Sequence, residues 1–239
     1  MKVLISVVSA SEARIALEGR ADIIDIKNPL EGSLGAQYPR IIREIADLSK
    51  RSGILCSAAL GDLPYKPGTA ALAALGAAEC AVDYIKAGLY GARNYDEAYI
   101  MIKNIVDAVR MGNRPALVVA AGYADSARFG GIGYRELVRA AKDARADIVM
   151  VDTAIKDGRN LFDAMTFAQI REFVDLSHQA GLQVALAGSV KKEDLKDLIP
   201  LHPDIIGIRG DVCENGNRTS DISGVKVREF MEYALMMIH

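Results

Sequence analysis

The sequence has few cysteines, few histidines and no surplus of charge, and each scarcity removes a class of function. Cys56, Cys80 and Cys213 are odd in number and show no CxxC spacing, which argues against a disulfide framework or a zinc site and for free, packed thiols in a reducing compartment. His178, His202 and His239 fall in a helical stretch, a loop and the terminus. A histidine triad or a His-rich metal site therefore has almost no support. Lys plus Arg number 29 against 31 Asp plus Glu, so no basic field invites nucleic acid or an anionic membrane. No segment stays apolar for about twenty residues, and the opening MKVLISVVSASEAR lacks a signal-peptide cleavage site, so a cytoplasmic protein is expected. No Pro-, Gly- or Ser-rich linker divides the chain, and residues 1–239 are expected to form one domain.

What is present is an alternation of short β-branched runs with longer helical segments, the sign of βα units and a parallel sheet. Strand candidates begin at Val3, Asp22, Ile54, Val82, Ala116, Asp147, Leu182 and Asp204. Helix candidates between them include SASEARIALE, YPRIIREIADLSKR, YDEAYIMIKNIVDAVRM and KKEDLKDLI, and VKVREFMEYALMMI closes the chain. Eight strands and eight helices in this length predict a single (β/α)8 TIM barrel. A doubly wound sheet would more often carry a Gly-rich fingerprint after its first strand. Here that strand runs into SASEAR, where Ser9 or Ser11 reads as a helix cap.

In a TIM barrel the carboxyl ends of the strands carry the active site, and three of those ends deliver lysines: Lys27, Lys86 and, just beyond, Lys156. Side chains alternate along a strand, so Asp25 and Lys27 share one face and Ile24 and Ile26 the other; Tyr84 goes with Lys86, and Met150 with Asp152. The isoleucines suit the outer helices, which leaves the ionisable residues at the barrel mouth. A bland reading pairs Lys27 with Asp25 and Lys86 with Asp152 as inert plugs. Against it, Lys27, Lys86, Lys156 and Arg209 outnumber Asp25 and Asp152, unless Asp62 and Asp211 point inward, and such an excess is costly without a visiting anion.

Phosphate is the expected anion, since TIM barrels often bind it between the loops after strands seven and eight. Gly188 and Ser189 follow strand seven, and Arg209 and Gly210 end strand eight. Glycine admits close backbone approach, serine adds a hydroxyl and arginine a charged fork. The loop NPLEGSLGA, with Ser33, is a second candidate cradle, and AGYADSARFGGIG is a candidate lid. A neutral amine among other cations attacks carbonyls to form imines, which act as electron sinks for aldol or elimination chemistry. Lys86 and Lys156 can serve this way for Lys27, or Lys27 for Lys86; periodicity does not name the nucleophile. Asp25 and Asp152 would orient the amines and exchange protons.

Together DIIDIKNPLEGSLGA, VDYIKAGLYG, VDTAIKDGRNLFD, ALAGSVK and IIGIRGDVC resemble the (5-formylfuran-3-yl)methyl phosphate synthase family, also called 4-(hydroxymethyl)-2-furancarboxaldehyde phosphate synthase, over essentially the full length. The resemblance implies a class I aldolase-like barrel. It implies condensation of two glyceraldehyde 3-phosphate molecules to a phosphorylated furan aldehyde, with loss of phosphate and water, as an early step of methanofuran biosynthesis. It further implies Lys27 as the Schiff-base lysine and Lys86 as the proton-transfer residue, with Asp25, Asp152 and Lys156 assisting, and no cofactor. Asp211 departs from the small neutral residue expected there; if it faces the phosphate loop, that placement of phosphate weakens. Another triose- or sugar-phosphate aldolase or isomerase, or a non-catalytic phosphate-metabolite module, are the competing readings. The apolar last helix, MEYALMMIH, suggests a homo-oligomer.

Overall fold

A strand hydrophobic on both faces is stable only when it is covered on both sides, and the β-branched runs of this chain are of that kind. The computed structural model describes residues 1–238, and His239 lies outside them. The strands are β1 (Lys2–Val7), β2 (Ile23–Ile26), β3 (Leu55–Asp62), β4 (Tyr84–Gly88), β5 (Leu117–Tyr123), β6 (Ile148–Asp152), β7 (Gln183–Leu186) and β8 (Ile205–Ile208). They close in sequence order into a parallel barrel, the expected TIM barrel. The helices are α1 (Ala10–Glu18), α2 (Pro39–Arg51), α3 (Pro67–Ala78), α4 (Tyr95–Met111), α5 (Tyr134–Asp143), α6 (Leu161–Ala164), α7 (Phe167–Gln179), α8 (Leu195–Leu198) and α9 (Gly224–Ile238).

Strand parity sorts the apolar residues into two layers. Ile24, Ile26, Ile85, Val149 and Val151 pack with the helices, whereas Leu4, Ile23, Tyr84, Val119, Ile148, Met150 and Ile205 fill the barrel. Ser9 caps α1 by accepting from the Glu12 amide, as the SASEAR motif predicts. The segment KKEDLKDLI is not one helix: α8 is a single turn between two 3-10 turns, Lys192–Asp194 and Ile199–Leu201. Pro200 has no N–H to continue an α-helical ladder. The short α6 was not anticipated; its start is fixed by a capping box of Asn160 and Asp163. No helix among the described residues is long and apolar enough to cross a membrane.

At the amino end of the barrel one device repeats four times. Asp22, Asp83, Asp147 and Asp204 each precede an even-numbered strand, and each carboxylate accepts the amide of a residue on or entering the preceding strand: Val3, Cys56, Val118 and Val184. Each aspartate's own amide donates back to the carbonyl of that same residue. Two positions before each aspartate the chain turns left-handed, at Arg20, Ala81, Arg145 and His202. The reciprocal clasp sets the register of four strand pairs, and through it the height of the side chains at the opposite rim. Asp147→Ala, which strands the amide of buried Val118, is expected to lower unfolding free energy by about 1–3 kcal/mol in a denaturant titration.

Candidate active site

At the carboxyl end the inward positions change from bulky to small or ionisable. Ala59, Ala121, Ala187 and Gly207 leave space above the apolar plug of the barrel, and Asp25, Lys27, Lys86 and Asp152 enter it, all buried. The result is a cavity of about 330 Å³. Of the residues singled out in the sequence, Lys27, Lys86, Met150, Asp152, Lys156, Gly188, Ser189, Arg209, Gly210 and Asp211 line it. Asp25, fully buried, is held by Lys86, and Ser33 lies outside the lining.

The ion pairs are not those of the bland reading. Lys86 donates to both oxygens of Asp25 at 2.8 Å, and Ser6 Oγ adds a third hydrogen bond at 2.8 Å. Register explains the contact: Asp25 pairs with Ser57 across to β3, which in turn pairs with Tyr84, so Lys86 lies one inward step higher and its long stem reaches down. Lys156 binds Asp152 Oδ1 at 2.8 Å and Thr153 Oγ1 at 2.9 Å. Two carboxylates thus take two lysines. The amine of Lys27, a residue 6 % exposed, makes no hydrogen bond or ion pair to a described residue, and Lys27 lines the cavity.

These neighbours set the protonation states. Burial is the largest influence on Lys27 and lowers it; Lys86 and Lys156 act in the same sense, Asp152 and Asp25 resist, and the amine is brought down to about 7. For Asp25, burial opposes ionisation, but the charges of Lys86 and Lys27 outweigh it and hold the carboxyl below its usual range. Asp152 follows the same logic more strongly, with Lys156 and Lys27 overcoming burial. The cluster therefore presents two carboxylates and a buried amine able to be neutral near pH 7.

The phosphate expectations divide. Gly188 (φ 115°) and Ser189 (φ 52°) turn the chain sharply after β7, and a Cβ on Gly188 would crowd the Thr153 amide at 3.2 Å. The amides of Ser189, Val190 and Gly210 donate to no described residue. Arg209, however, does not offer a fork. Its five N–H donors are spent on Arg218 O, Ser6 O, Ser220 O and both oxygens of Glu12, because Glu12 of α1 is buried beside it and requires a counter-charge. The count of rim cations against two acids is corrected accordingly. Ser33 is likewise committed: its amide donates to Asp62 Oδ2 at 2.7 Å and its hydroxyl to Thr153 O at 2.7 Å. The cradle of NPLEGSLGA is thus filled by the protein's own carboxylate, which also takes the Leu34 amide and the Tyr123 hydroxyl. Gly32 is required there, since a Cβ would fall 2.1 Å from Asp62 Oδ2. Asp211 does face the loop after β7, accepting from the Lys192 amide at 2.9 Å. Asp211 also lines the cavity, and the expected placement of phosphate between the loops after β7 and β8 is weakened accordingly.

The candidate lid after β5 is packed down as a brace. Asp125 accepts the amides of Ala154 and Ile155 at 2.7 and 2.9 Å, Arg128 pairs with Asp157 at 2.7 Å, and Phe129 stacks on Tyr90. It therefore supports the loop that carries Lys156. Sequence reasoning missed Ser6, Glu12 and Arg218. Ser6 was accessible from parity alone, being an inward polar residue in register with Asp25. Glu12 is far in sequence from its partner Arg209, as Arg218 is from its partners Gly32 and Ser33, and neither gave a signal. Among the described residues no group of three or more His, Cys, Asp or Glu side chains is arranged to hold a metal ion.

Known proteins resemble this chain at two levels. Solved structures share its fold at low identity: 3-hexulose-6-phosphate synthase from Salmonella typhimurium (TM-score 0.67, 14% identity, 99% of this chain and 100% of that one) and deoxyribose phosphate aldolase from Aeropyrum pernix (TM-score 0.64, 16% identity, 97% and 89%). Proteins named (5-formylfuran-3-yl)methyl phosphate synthase are far closer: that of Archaeoglobus fulgidus is 53% identical, with 97% of this chain and 98% of the relative covered, and that of Methanothermobacter thermautotrophicus is 50% identical, again with 97% and 98% covered. The profile of the family described as 4-HFC-P synthase matches residues 3–231. Nearly full-length agreement of both kinds establishes that the chain belongs to the 4-HFC-P synthase family, a family of enzymes.

Proposed function

We propose that this protein condenses two molecules of glyceraldehyde 3-phosphate to the phosphorylated furan aldehyde for which its relatives are named, through a Schiff base on Lys27, in the pathway to methanofuran. The observation that carries the reading is the unpaired Lys27 amine, buried in a cavity between two lysine–carboxylate pairs and brought to about 7. Such an amine is nucleophilic near neutrality without a separate base. Lys86 is already bonded to Asp25, and Lys156 to Asp152, so neither is as free to attack.

In this reading the Lys27 amine adds to the first aldehyde, and loss of water gives the imine. Lys86, backed by Asp25, takes and returns protons on the bound triose, and the resulting enamine drives elimination of one phosphate as inorganic phosphate. Lys156 and Asp152 move the protons that accompany joining of the second triose and the dehydrations that close the ring. Overall, two trioses lose one phosphate and two waters, and no oxidant or reductant is consumed. The free amides at Ser189, Val190 and Gly210 are the support for a phosphate cradle. A homo-oligomer is part of the proposal; Leu235 and Met236 on α9 are 59% and 77% exposed.

Borohydride with glyceraldehyde 3-phosphate is expected to leave one reduced adduct on Lys27, found by peptide mass mapping. Its yield should rise about tenfold per pH unit below the amine's midpoint and level off above about 7. An isomerase or a binding module would leave no adduct. Lys86→Ala removes a cation that lowers Lys27 and unpairs Asp25, which raises it, so both changes should move the trapping midpoint to higher pH. Turnover should fall by about 10²–10⁴-fold with the loss of its proton transfer.

Stability should report the same amine. Lys27 titrates near 10.5 when unfolded and about 7 when folded, so between these values the unfolded chain binds more protons and unfolding free energy rises with pH. Its destabilisation is fully present below about 7 and is relieved progressively as pH rises from there to 10.5. Lys27→Met is therefore expected to stabilise the protein more at pH 6 than at pH 9 in paired denaturant titrations.

A further inference from the structure

The loop between β8 and α9 is held over the cavity by a device with a single free end. Arg209 Nε donates to Arg218 O at 2.6 Å and Nη2 to Ser220 O at 3.1 Å, while buried Glu12 fixes the guanidinium from behind at 2.9 Å. The residues at 218–220 are thereby clasped to the barrel rim through α1 and β8. From this clasped segment the Arg218 side chain crosses to the loop after β2, where Nη2 donates to Gly32 O at 3.0 Å and Ser33 O at 3.3 Å. Those two carbonyls are themselves held in place, because the Ser33 and Leu34 amides are bound to Asp62.

Arg218 has three further N–H donors, on Nε and Nη1, and none makes a hydrogen bond to a described residue. No carboxylate of the described residues lies within ion-pair distance of it. It lines the same cavity as Lys27 and Lys86. Burial is the main influence on its guanidinium and acts against the charge. A cation that is partly desolvated, fixed at one nitrogen and unpaired at the others is expensive to keep unless an anion completes it. Its planar fork suits the two oxygens of a phosphate monoester. It also approaches from the β2 side of the mouth, whereas the open amides at Ser189 and Gly210 belong to the loops after β7 and β8.

We propose that Arg218 is the ligand of a second phosphate monoester in the cavity, the phosphate of the triose that joins the Lys27-bound one, with Glu12 and Arg209 as positioning residues. The proposal rests on the condensation of two triose phosphates argued above. It divides the anion recognition of the site in two: backbone amides for the first triose and a side-chain fork for the second.

The test compares wild type with Arg218→Gln and Arg218→Lys in three measurements. Borohydride trapping of glyceraldehyde 3-phosphate reports capture of the first triose, steady-state turnover reports use of both, and calorimetric titration with inorganic phosphate counts anion sites without any chemistry. Arg218→Gln is expected to trap within threefold of wild type, to raise the turnover KM at least tenfold with a smaller change in kcat, and to lose one of two phosphate sites. Arg218→Lys should recover part of the KM. Equal losses in trapping and turnover would mark a merely bracing residue and overturn the proposal, as would an unchanged phosphate stoichiometry. An adduct-free wild type would sink the Schiff-base reading, and the phosphate titration would still decide whether Arg218 holds an anion.

Discussion

Three lysines, Lys27 and Lys86 buried and Lys156 half-buried, share two buried carboxylates, and this inequality organises the rim of the barrel. Had Asp25 and Asp152 been joined by a third acid, all three ammonium groups would be neutralised in place and inert. Asp25 instead takes Lys86 and Asp152 takes Lys156, and the remaining amine is desolvated without a carboxylate paired to it, the charges of Asp152 and Asp25 offsetting only part of the cost. Neutralising a buried, unpartnered ammonium costs less than keeping it charged, so the amine titrates near 7. The fold tolerates the arrangement because the inward residues around it are small, while the apolar layer beneath, with Leu4, Ile23, Ile148 and Met150, is closely filled.

The loops around the cluster are held by carboxylates too. Asp62 gathers two amides of the loop after β2, Asp125 gathers two amides of the loop after β6, and Glu12 immobilises Arg209 and through it the loop after β8. Each internal acid satisfies backbone or guanidinium donors that would otherwise be open to water. Reacting groups are held to fractions of an ångström only when their supports are fixed in this way. That support also explains why two candidate anion sites proved to be occupied: the donors that the sequence offers around Ser33 and Arg209 are consumed by the protein's own acids. Other barrels of the same architecture, at 14–16% identity, share the scaffold without sharing these contacts by necessity, since a fold does not imply a chemistry.

The sequence by itself determined the barrel, the eight strand positions and the inward parity of Asp25, Lys27, Lys86 and Asp152, because these follow from periods of two and 3.6 residues along one stretch of chain. It also contained the turn at Gly188–Ser189 and the cap at Ser9. Only the tertiary structure decided which lysine joins which acid, that Arg209 is turned to Glu12, that Ser33 serves Asp62, and that Arg218 reaches across the mouth from the far end of the chain. Those outcomes depend on strand stagger and on side chains meeting across separations as long as the 197 residues between Glu12 and Arg209. Local periodicity fixes the direction in which a side chain leaves its strand; the partner it finds is set by the closure of the whole barrel, where every charged group competes for the same few counter-charges.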